Sequence, residues 1–139
     1  PRIIATEPNF VSINSTLTVD LLGQCASETV GGRYYSSSGG QADFARGAMY
    51  SPGGQGFVVL RSTTNDGSVS KISPTLAAGE VVTTIKNTVD QVVTEWGVAS
   101  LRGRSIHERA IALIGIAHPD HREHLTREAH RLGLLRRND

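Results

Sequence analysis

The sequence predicts an α/β domain, a layered open sheet flanked by helices, and three observations carry that prediction. Residues 56–63, GFVVLRST, open on a continuous apolar run with β-branched residues, the pattern of a strand buried on both faces in the middle of a sheet. Residues 33–48, RYYSSSGGQADFARGA, set small residues and a glycine pair directly before a helix-forming stretch, as at the strand-to-helix junctions of α/β folds. Residues 105–133 carry the start and stop signals of two consecutive helices. The strand-rich middle leaves a mixed sheet open.

Taken in order, Thr16–Leu22 alternates as a strand with Leu17, Val19 and Leu21 on one face, and Asn14 and Ser15 read as a turn or break before it. Residues 41–50, QADFARGAMY, make a short helix in which Phe44 and Ala48 share a face, ended by Gly53 and Gly54. After the central strand, TTNDG is a loop, and SKIS, EVVTTIK and QVVTEW are strand-like segments separated by Pro74, Gly79 and Asn87. Ser105 and Glu108 form a capping box opening a helix whose apolar face holds Ile106, Ala110, Leu113, Ile114 and Ala117. Pro119 then begins a second helix at its first turn, and Gly133 stops it.

The chain has 139 residues, 38% hydrophobic and 19% charged, which suits a single soluble domain. No run approaches the roughly 18 apolar residues of a membrane span, so no membrane association is expected. The start, PRIIATEP, lacks an initiator Met and a leader pattern, and reads as an excerpt of a longer protein. A lone Cys25 leaves no internal disulfide and no thiolate zinc site and fits a reducing compartment, so the cytoplasm is expected. The net charge of +1 conceals a basic tail: residues 101–139 hold eight Arg against five acids, and all five His. That tail has no Phe, Tyr or Trp beyond Leu101, and nucleic-acid binding, which interleaves cations with aromatics, is not expected.

Several stretches could carry chemistry. Glycines before a helix admit a ligand to the main chain, and the helix start offers free amides and a positive dipole end to an anion or oxyanion. The pattern is neither a dinucleotide nor a P-loop fingerprint, and taken alone a glycine pair is more often an ordinary turn. Glu95, in TEWG, stands at a strand end where a carboxylate could act as nucleophile or base, although an exposed or capping Glu is the commoner outcome. Cys25 has no assignable base and reads as a small core residue. His118, His121 and His124 spread around a helix at three-residue steps, too far round for one ion, and read as surface residues; no metal is expected.

Four stretches occur in a familiar order: SINSTLTVDLLGQ, SSSGGQADFARGA, STTNDGSVSKISPTL and VVTEWGVASLRGRSIHERAIALIGIAHPDHRE. Together they resemble the C-terminal domain of the acetyl-CoA hydrolase and CoA-transferase family, which includes 4-hydroxybutyrate and succinyl-CoA:acetate CoA-transferases. The resemblance covers nearly all of residues 1–139 and implies that they are the C-terminal domain, or most of it, of an enzyme with two related α/β domains and its active site between them. It implies a ping-pong transfer of coenzyme A between an acyl-CoA and a short carboxylic acid through an enzyme glutamyl-CoA thioester, or hydrolysis of acetyl-CoA. The alternative is a catalytically silent isolated domain. In the family the nucleophilic Glu lies upstream of the matching region, so no residue here inherits that role and the isolated chain is expected to be inactive. The resemblance places Gly39 and Gly40 at the CoA thioester, with Ser38 and Gln41 flanking it and Asn14 nearby. The implied partners are acyl-CoA, the acid and the missing N-terminal domain, with room for a homodimer. Lys71, residues 86–90 and Trp96 depart mildly from the family pattern.

Overall fold

The computed structural model describes residues 1–136. A short helix α1 (Arg2–Thr6) leads into β1 (Val11–Ser15), followed by β2 (Thr18–Asp20), β3 (Cys25–Ala26), β4 (Thr29–Val30) and β5 (Arg33–Tyr34). Helix α2 (Gln41–Tyr50) then precedes β6 (Gln55–Val59), β7 (Ile72–Ser73), β8 (Gln91–Thr94) and β9 (Gly97–Ser100). Helices α3 (Ile106–Gly115) and α4 (Pro119–Arg131) complete the order.

The main sheet has four strands in the order β1-β6-β8-β9. The first three run parallel, with Ile13 opposite Phe57 and Phe57 opposite Gln91, and β9 returns antiparallel to β8. The sheet is therefore mixed, in an α/β fold. A second sheet, β3-β2-β7, and the β4-β5 hairpin lie between β1 and α2 in the chain or pair with that region.

The strand expected over residues 16–22 is shortened to β2, Thr18–Asp20, and a separate strand, β1, precedes it. Thr16 Oγ1 donates to Ala26 O at 3.0 Å and lies 2.9 Å from Ser27 Oγ, so the chain leaves the main sheet at that residue and starts a second one. Asn14 and Ser15, expected as a turn, end β1 instead. EVVTTIK forms no strand; Cys25 N donates to Thr84 O and Thr83 N to Cys25 O, an isolated bridge that uses its backbone groups.

One core serves both sheets and the C-terminal helices. Val19 and Ile72 from the small sheet, with Leu21 just beyond β2, join Val58 and Val92 from the main one, with Leu60 just beyond β6, under Leu101, Ala110, Leu113 and Leu125. Ser105 Oγ accepts from Glu108 N and Glu108 Oε2 from Ser105 N, so the capping box is formed. Ala110, Leu113 and Ala117 are buried as the helical spacing requires, whereas Ile106 points out, about half exposed. Thr94 Oγ1 donates to Ile116 O at 2.6 Å and fastens the end of β8 to the end of α3. Pro119 occupies the first turn of α4, and Gly133, at φ +72°, follows its C-cap Leu132.

Burial along β6 alternates: Gly56 and Val58 are covered, Phe57 is half-buried and Val59 is exposed. The apolar run is central in the sheet, as expected, but the described residues cover only one of its faces.

Candidate active site

Three parallel strands end together, and in open α/β sheets ligands bind beyond the carboxyl ends of such strands. At the end of β1 stand Asn14 and Ser15; β6 leads into Arg61 and Ser62; β8 leads into Glu95. The first turn of α2 joins them through side chains. Ser27 Oγ donates to Gln41 Oε1 at 3.1 Å and lies 2.9 Å from Thr16 Oγ1, linking the exit of β1 to the start of α2.

Gly40 is the N-cap of α2, and no side chain caps that end. The amides of the first turn are therefore left to solvent or a ligand. Gly39 supports the geometry: its φ of +54° lies in the left-handed region that favours glycine, with open space where a Cβ would stand. Gly40 has an ordinary negative φ of −96°. A Cβ there would come 3.1 Å from Cε2 of Phe44, so the limit at Gly40 is space rather than backbone conformation.

Asn14 and Gln41, far apart in sequence, line one narrow cavity with Ser12, Ala45, Thr88 and Asp90. Asn14 Nδ2 donates to Ser12 Oγ at 2.8 Å. Gln41 is 7% exposed, and its Nε2 is buried without a hydrogen-bond partner. Such an atom is uncommon, because a buried donor without a partner costs about 1–3 kcal/mol. Ser38, Gly39 and Gly40 are exposed beside it. Of the residues singled out in the sequence, the fold thus brings Asn14 and Gln41 to one cavity and leaves Ser38, Gly39 and Gly40 on the open rim.

Glu95 forms the two-residue turn between β8 and β9 with Trp96. Its carboxylate accepts from Ser62 N at 2.9 Å and Ser62 Oγ at 2.6 Å, bonds between strand ends that spacing alone could not disclose. Burial pushes its pKa up, but the hydroxyl and amide bonds from Ser62 and the charge of Arg61 outweigh it and hold the group below the usual range. A carboxyl whose folded pKa is depressed adds stability above its unfolded pKa and loses it as pH falls through the folded value. Glu95→Gln should therefore lower the melting temperature at neutral pH, with the gap to wild type closing as the pH drops through the carboxylate range. A gap that is constant with pH in thermal melts would show that the charge contributes nothing.

The remaining candidates have structural tasks. Cys25 is fully buried; burial, aided by the charge of Asp20, pushes its thiol up to about 12, which makes it a core residue and no nucleophile. His118 Nδ1 caps α4 by accepting from Asp120 N, and its ring meets Trp96 edge-on at 5.3 Å. His121 Nε2 bonds Gly67 O at 2.9 Å, tying α4 to the TTNDG loop.

An open mixed sheet flanked by helices, with an uncapped helix start, the buried amide of Gln41 and the half-buried amide of Asn14 near its carboxyl end, defines an α/β domain of layered, open-sheet type. The model of the acetyl-CoA hydrolase/transferase C-terminal domain matches residues 1–129, and the chain belongs to that family. It is 58% identical over 135 residues to a succinyl-CoA:cyclohexane-1-carboxylate CoA transferase of Geobacter metallireducens, covering 97% of this chain and 31% of that protein. It is 51% identical over 128 residues to a 4-hydroxybutyrate coenzyme A transferase of Clostridium kluyveri, covering 92% of this chain and 30% of that one. The crystal structure of RipA from Yersinia pestis superposes with a TM-score of 0.90 at 46% identity, over 97% of this chain and 30% of that chain. The chain thus spans under a third of the length of these relatives. Among the described residues no helix is long and apolar enough to cross a membrane.

Proposed function

We propose that the chain is the C-terminal domain of an enzyme that moves coenzyme A between an acyl-CoA and a short carboxylic acid, and that it supplies the cradle for the thioester carbonyl. The observation that carries this reading is the convergence of the uncapped α2 start, Asn14 and the partnerless Nε2 of Gln41 at the carboxyl end of β1. Three neutral donors or donor sets in one place suit an oxygen that gains negative charge, because fixed dipoles stabilise it without reorganising.

The chemistry runs through a glutamate contributed by the polypeptide upstream. Its carboxylate attacks the acyl-CoA carbonyl, a tetrahedral oxyanion forms, and CoA thiolate leaves an acyl-glutamyl anhydride. The thiolate attacks the glutamyl carbonyl, releasing the first acid and leaving glutamyl-CoA. The second acid reverses the sequence and departs as the new acyl-CoA. Each addition places charge on a carbonyl oxygen, and the small Ser38-Gly39-Gly40 rim lets that oxygen approach the α2 amides. Without the upstream glutamate, residues 1–139 alone do not turn over.

Assaying the full-length enzyme with acetyl-CoA, with and without a panel of short carboxylic acids, tests the reading. Acid-dependent formation of a new acyl-CoA is the expected result. Release of free CoA at the same rate with and without acid would make the enzyme a hydrolase. The absence of both products would sink the proposal.

A further inference from the structure

We propose that the uncovered face of the main sheet is the seat of a layer of the same polypeptide that precedes Pro1, so that the α/β domain is closed by chain outside residues 1–139. This rests on the reading of the chain as the C-terminal part of a longer enzyme. α2 and α3 pack on the face of the sheet that carries Gly56, Val58, Val92 and Ala99, and α4 packs on α3 and joins the same core. On the opposite face, register puts Ile13 beside Phe57, and Val59 beside Val93, which in turn faces Val98. These side chains form an apolar patch that reaches all four strands, with Ile13 70%, Val98 54% and Val59 36% exposed, and Gln91, beside Phe57, and Ser15, beside Val59, are polar members of the same face.

Sheets of parallel strands are covered on both faces, because crossover helices pack on each. An open apolar surface of this extent marks a contact. Its occupant follows from two facts. The matching family is a C-terminal domain, and the chain accounts for 31% of its Geobacter relative, so the bulk of such a protein precedes this segment. Among the described residues β1 pairs only with β6, so its outer edge is free in the main sheet, leaving a place for preceding chain to extend the sheet and cross to the open face.

The test uses full-length enzyme carrying single cysteines at Ile13→Cys, Val98→Cys and, as an exposed control on α4, Glu123→Cys, whose side chain is 86% exposed. Native Cys25 is buried and does not compete. Maleimide modification of each peptide is followed by mass spectrometry, with circular dichroism confirming that each variant is folded. Cysteine is small and apolar enough to sit at a buried Ile or Val site, and two positions on the face guard against loss of one variant. Modification of Ile13→Cys and Val98→Cys at least about 100-fold slower than of Glu123→Cys, at every protein concentration, is expected for sites reached only by opening. Equal rates would overturn the proposal. So would protection that vanishes on dilution, which would assign the face to a second copy of the chain. Labelling reads packing and not turnover: a protected face in an enzyme without acid-dependent transfer fails the functional reading alone, and an open face in an active transferase fails this one alone.

Discussion

Gly40→Val in the full-length enzyme should lower turnover by about 100- to 1000-fold, the loss expected when one oxyanion donor is misdirected, or about 2.7–4 kcal/mol of transition-state stabilisation. The branched side chain fills the rim where the acyl group passes. It also meets the Phe44 ring, because a Cβ at Gly40 stands 3.1 Å from Cε2. That ring is partly exposed and stacks on Phe10 at 6.3 Å, so it can give way, and the melting temperature should fall far less than the activity. Asn14→Ala provides an independent approach, since it removes a donor from the strand side of the cavity and leaves the loop untouched. If both residues serve one oxygen, the double variant should lose much less than the product of the single losses. Activity per folded molecule, measured beside thermal melts, separates this from a purely structural loop. Early melting with normal turnover by the folded fraction would make Ser38–Gln41 an ordinary helix entry.

Leu113→Ala should destabilise the domain by about 2–5 kcal/mol, the range for a buried Leu truncation with its residual cavity. Leu113 is fully buried, in one cluster with Val92, Leu101, Ala110 and Leu125, so its apolar surface is satisfied within the described chain. Ile111→Ala, on the exposed side of the same helix, should cost far less in the absence of a partner. Denaturant midpoints compare the two; similar midpoints for both variants would mean that α3 is held from outside.

The parts of the fold that could be read in advance are those whose signal is local. The capping box at Ser105, Pro119 at the start of α4, Gly133 beyond its end and the helix over residues 41–50 each rest on a few adjacent side chains. β6 was legible as a central strand from its apolar run, but that run could not disclose that one face waits for other chain. The break at Thr16 between β1 and β2 was hidden because the hydroxyl that diverts the chain bonds to Ala26 and Ser27, ten and more residues on. Strands of two residues, such as β3 and β7, are too short to display a period of two. At the site, glycines before a helix pointed to an approachable backbone, while the roles expected of Asn14 and Gln41 came from the resemblance. Their meeting in one cavity, the partnerless Nε2 of Gln41 and the Ser62–Glu95 bonds are tertiary facts without a sequence period.

The account turns on where the covalent chemistry occurs. Incubating the full-length enzyme with acetyl-CoA, quenching in acid and mapping the CoA mass adduct by peptide mass spectrometry locates the thioester. The account predicts a single adduct on a glutamate outside residues 1–139, reduced when Gly40→Val is present. An adduct on Glu95, or on any other carboxylate within Pro1–Asp139, would contradict it.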